Sequence, residues 1–172
     1  MQSLQQYVHD QGPINALRNE LGVLSFAEKF LEEAKRGNIP SVVTPSTIQV
    51  SLEGVGNYAA VKAVTIRSAE TAKTYKSIYA PPAWADQTQN WRFQLGYLLR
   101  FILTTRVDFS LPVRRLSWKE AQPLYRPTRG HWLQRQYGFY NGHEAFGDDW
   151  LPISQFTQDL LFSLLIWPGC RD

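Results

Sequence analysis

Thr47-Ile48-Gln49-Val50-Ser51-Leu52-Glu53 alternates polar and apolar side chains without a break. Successive side chains of an extended chain point to opposite faces, so this stretch reads as a strand with one buried face. Gly54-Val55-Gly56-Asn57 follows with turn chemistry, and Tyr58 to Ile66 is rich in β-branched residues. Together they predict a β-hairpin over 47–66. Ala59, Ala60 and Ala63 leave a helix as the alternative for the second arm. The hairpin decides the fold class, because the segments on both sides of it carry a helical period.

Towards the N-terminus, Leu4, Tyr7 and Val8 predict a short helix that Gly12-Pro13 ends. Ile14, Leu17 and Leu21 continue as a helical stripe until Gly22 interrupts it. Ser25-Phe26-Ala27-Glu28 has the capping-box pattern and predicts a new helix start there. Its buried face would be Phe26, Phe30, Leu31 and Ala34, with Lys29/Glu33 and Glu32/Arg36 paired four residues apart and Gly37 as the stop.

Towards the C-terminus, Ser68 to Tyr79 predicts a short helix that Pro81-Pro82 ends. The longest helix is expected within 86–105, where Trp91, Leu95, Leu98, Leu99 and Ile102 repeat at helical spacing. Gly96 costs that helix about 1 kcal/mol relative to Ala, which packing must offset. Val107, Phe109, Leu111 and Val113 alternate as a third strand, confined to a sheet edge by Pro112. Ser117-Trp118-Lys119-Glu120 is a second capping box, and Pro123 limits its helix to a turn. Leu124 to Gly130 reads as a loop, and Gln134 to Tyr140 as a fourth strand running into a tight turn at Asn141-Gly142. Ile153, Phe156, Leu160, Leu161 and Leu164 make a last amphipathic helix that Pro168-Gly169 ends. It is more apolar around its circumference than a surface helix needs, which fits either a central core position or a subunit interface. The expected fold is α+β, a single compact domain over 1–172 with a small antiparallel sheet of about four strands packed with about four to five helices.

At 172 residues, 44% hydrophobic and 19% charged, the chain falls outside the disordered and collagen-like classes and is too short for a separate cofactor domain. The single cysteine, Cys170, excludes an internal disulfide framework and a multi-thiolate zinc site. Leu160 to Trp167, the most apolar run, is too short to span a membrane. Met1 to Gln6 lacks the basic start and apolar run of a secretory signal, so a cytoplasmic protein is expected; a viral protein made in that compartment would look the same.

The net charge of +3 conceals an uneven distribution. Residues 1–40 carry −1, 41–90 carry +1 and 141–172 carry −4. Residues 91–140 carry +7, from Arg92, Arg100, Arg106, Arg114, Arg115, Lys119, Arg126, Arg129 and Arg135 against Asp108 and Glu120. Eight of those nine cations are Arg, whose planar fork matches phosphate and stacks on aromatic rings. The same segment holds eleven of the twenty-three aromatic residues, the pairing of charge and flat rings that single-stranded nucleic acid needs. The predicted binding set is Arg114, Arg115, Trp118, Lys119, Tyr125, Arg126, Arg129, Trp132 and Arg135, because Pro123, Pro127 and Gly130 mark this part as irregular and superficial. Arg92, Arg100 and Arg106 are weaker candidates, being on or beside a largely apolar helix. The competing reading pairs the arginines internally with Glu144, Asp148, Asp149 and Asp159.

His143-Glu144 and Asp148-Asp149, with His131 approaching across the turn, could hold a divalent metal or do acid–base work, but their spacing matches no established motif. Gly-x-Ser-x-Gly is absent, and Gly54-Val55-Gly56 lacks the third glycine of a dinucleotide loop. No catalytic, metal or cofactor site is therefore expected. The leading expectation is a non-enzymatic subunit that binds RNA or single-stranded DNA, or an acidic protein surface, within a homo- or hetero-oligomer. The alternatives are an architectural subunit of an oligomeric or virion-type assembly and, behind it, a small metal-dependent hydrolase.

Overall fold

The structure is a computed structural model, and it describes residues 2–11, 17, 20–40, 43–54, 59–67, 90–104, 116–117, 119, 155–165 and 170–171. The hairpin is present. Strand β2, Ile48–Glu53, pairs antiparallel with β3, Ala60–Ile66, and Arg67 N donates to Thr47 O at 2.9 Å to close the ladder's open end. Ile48 opposite Ile66 and Val50 opposite Val64 fall on one face and pack into the core, while Gln49 opposite Thr65 and Ser51 opposite Ala63 fall on the other. The register slips between Ser51 and Leu52, so Leu52 faces Val61 and Lys62 is the extra residue. That bulge keeps Val61 buried and Lys62 exposed; an unbroken register would set Lys62 against Leu52 instead. Gly54, at φ 83°, takes the left-handed backbone at the end of β2.

A strand not expected from the sequence, β1 at Gln2–Ser3, pairs antiparallel with β2 on the side away from β3, giving the order β1-β2-β3. Two residues are too few for a period. Ser3 then caps helix α1, Leu4–Gln11: its Oγ accepts from Gln6 N at 3.1 Å. Ser3-x-x-Gln6 is itself a capping-box pattern, so the signal for this start was present. Helix α1 buries Leu4, Tyr7 and Val8, the predicted stripe. Gln5 N donates to Pro45 O, which docks it on a turn tied by Thr44 and Thr47 just before β2.

Helix α2, Glu20–Lys35, corrects the predicted start at Ser25. The helix runs through Gly22, where a Cβ would lie 2.6 Å from the Leu17 backbone; glycine here permits close approach and is no terminator. Ser25 does not cap. Its Oγ donates to Gly22 O at 3.1 Å and accepts from Val61 N at 2.9 Å, fastening α2 to the outer edge of β3. The predicted ion pairs also change partners, to Lys29–Glu32 at 3.1 Å and Glu33–Arg36 at 2.7 Å, each three residues apart. Gly37 is the stop as expected: at φ 73° it donates to Ala34 O while Asn38 N reaches Glu33 O, the double bond of a Schellman end.

Helix α3, Asn90–Thr104, falls within the expected 86–105, although α2 is the longer of the two by one residue. It is not amphipathic in its setting. Every residue from Phe93 to Leu103 is buried, so the helix is wrapped on all sides. Helix α4, Gln155–Leu165, packs on it through Leu161, Leu164 and Leu165, as a core helix would. The two meet at Gly96, where a Cβ would lie 2.5 Å from Leu165 Cδ2 and 3.2 Å from Leu164 Cβ. This contact is the packing that offsets the glycine's poor helix propensity. Gln94 Nε2 donates to Pro40 O at 3.1 Å and ties α3 to the segment leaving α2.

Strand β4, Leu116–Ser117, pairs parallel with β5, Cys170–Arg171, and Lys119 just beyond it is helical. Helices with a small three-stranded antiparallel sheet make the chain α+β. The predicted helix at 68–79, the strands at 107–113 and 134–140, and the loop at 124–130 lie outside the described residues.

Candidate nucleic-acid interface

Of the predicted binding set, Lys119 is described: it is a helical residue with an exposed side chain. Arg114, Arg115, Trp118, Tyr125, Arg126, Arg129, Trp132 and Arg135 lie outside the described residues, as do His131, His143, Glu144, Asp148 and Asp149. The described residues do place the backbone of the basic segment at one point, since β4 runs beside β5 near the C-terminus.

The first part of the basic segment divides sharply. Phe93, Tyr97 and Phe101 are core residues, which removes them from the rings available to stack on a base. Arg100 is 3% exposed and engaged within the fold. Arg100 lies in the run of α3 from Phe93 to Leu103 that is buried throughout, so even this arginine is enclosed.

Trp91 and Arg92, in the first turn of the same helix, are different. Both are half-buried, and the Arg92 guanidinium carbon lies 5.4 Å from the centroid of the Trp91 ring. The Arg92 Nε is buried and makes no hydrogen bond. A buried donor without an acceptor costs about 1–3 kcal/mol, whereas a partly exposed cation–π contact contributes about 0.5–1 kcal/mol. The ring therefore orients the guanidinium without satisfying it. The first turn holds no acidic residue, and a cation there opposes the helix dipole. Two ion pairs, Lys29–Glu32 and Arg36–Glu33, are internal to α2.

A cleft of about 410 Å³ opens beside the end of β1, lined by Gln2, Tyr7, Val50, Ser51 and Leu52, all uncharged. Among the described residues, no three of His, Cys, Asp and Glu come together as metal ligands, and no helix is long and apolar enough to cross a membrane. No protein-family model matches the chain, and no curated protein or solved structure matches it either.

Proposed function

We propose that this chain is a non-enzymatic subunit that binds RNA or single-stranded DNA through the Arg/aromatic segment 91–140. The observation that carries the reading is the segregation of charge, nine cations against two acids in fifty residues. Cations so concentrated along the chain favour a partner of opposite charge, and a phosphate backbone is the densest source of it. The exposed Lys119 supports the reading. So do the α2 ion pairs, since Glu32 and Glu33 are satisfied by Lys29 and Arg36 of their own helix. The reading takes the chain as one cytoplasmic domain, working within a homo- or hetero-oligomer.

Titrating the protein with a labelled single-stranded oligonucleotide at two salt concentrations tests it. Affinity should fall steeply with salt, Arg115→Ala or Arg129→Ala should weaken unrelated sequences about equally, and Trp118→Ala should weaken binding through lost stacking. Absence of binding at low salt would end the proposal.

One observation favours a second reading, an architectural subunit of an oligomeric or virion-type assembly. Leu21 and Leu24, one turn apart on α2, are 47% and 42% exposed. Large apolar side chains side by side on a surface are commoner where another chain covers them. Sedimentation of Leu21→Ser/Leu24→Ser against the parent chain decides it: equal, monomeric sizes for both would discard the assembly reading.

A further inference from the structure

We infer that Arg92 is a phosphate-binding side chain, oriented for that role by the Trp91 ring, so that the proposed surface starts at the first turn of α3. The inference deepens the nucleic-acid reading and rests on it for the carrier of the phosphate; the local observations are separate from the charge count.

The Nε is buried and unmatched, and the guanidinium lies over a ring that offers π-density but no lone pair. No described carboxylate pairs with it. Arginine cannot relieve this by losing its proton. The buried Nε is shielded from an outside ligand, so the terminal Nη groups of this half-buried side chain are the part an anion reaches, and an oxyanion with two oxygens meets both of their adjacent N–H groups at once. A phosphodiester presents two such non-bridging oxygens, repeated along a strand. A carboxylate on an acidic protein has the same bidentate geometry; the charge of +7 over 91–140 favours the continuous polyanion. Stacking on Trp91 limits the rotamers of Arg92, so less freedom is lost when an anion arrives.

The test uses the full ¹⁵N-labelled chain. The Arg92 Nε–H signal is identified by its loss in Arg92→Gln, then followed during titration with inorganic tripolyphosphate, oligothymidylate and polyglutamate. Expected is a saturable shift with tripolyphosphate and oligothymidylate, at lower concentration than any shift with polyglutamate. Arg92→Gln should weaken oligothymidylate binding about three- to tenfold and flatten its log–log salt slope by about 0.7, one phosphate contact on a single strand. Arg92→Lys, which keeps the charge and loses the fork, should retain the slope. If oligothymidylate binds while the Arg92 signal stays still, the inference is wrong and the wider reading survives. If tripolyphosphate moves the signal and oligothymidylate does not bind, the phosphate site stands and the nucleic-acid reading falls. A stronger response to polyglutamate overturns the phosphate assignment.

Discussion

Ser25 shows how one side chain can satisfy a sequence pattern and serve another purpose. Ser25-x-x-Glu28 has capping-box spacing, yet α2 begins five residues earlier and the hydroxyl bridges Gly22 O to Val61 N. A capping pattern describes only which local bonds are available; the neighbouring strand offered a better acceptor role. Ser25→Ala should therefore act as the loss of an interelement tie: about 1–2 kcal/mol less stability by denaturant titration, with faster exchange of the Val61 amide. An unchanged Val61 amide would show that this hydrogen bond does not hold β3. Arg92 makes the same point for function. Its place on an apolar helix argued against it, but position within the helix separates it from Arg100, which the core encloses.

The elements were legible wherever periodicity had room to show. The β2–β3 hairpin, α1, α3 and α4 are long enough for apolar spacing to reveal them, and Gly37 ends α2 because left-handed backbone suits glycine. The two-residue strands β1, β4 and β5 carry no period and were missed. The extra residue at Lys62 was also invisible, since alternation along one strand cannot show where its partner bulges. Gly96 belongs to this scale, because its meaning lies between two helices. Replacing it by Ala adds helix propensity worth about 1 kcal/mol but drives a methyl into Leu165, and overpacking of that kind costs about 1–3 kcal/mol. Gly96→Ala should lower stability slightly and Gly96→Leu severely, with Leu165→Ala restoring part of the loss in the Ala variant. A stabilised Gly96→Ala would mean that α3 and α4 do not meet here.

For the whole molecule the question is how its basic and acidic segments are balanced. If the 91–140 cations await an external polyanion, tripolyphosphate at low salt should raise the thermal midpoint by preferential binding to the folded state, and added salt should abolish the rise. A midpoint indifferent to polyphosphate would instead point to cations already matched within the fold. Charge segregation, the α+β class and the helical and extended periods are properties of the order of residues, so the sequence by itself determined them. Which arginine is enclosed and which is left with an unmatched donor, why Gly22 sits inside a helix, and which partner each charge of α2 takes were decided by the tertiary structure alone. Those outcomes depend on what packs against a side chain from elsewhere in the chain, and local spacing contains no record of that contact.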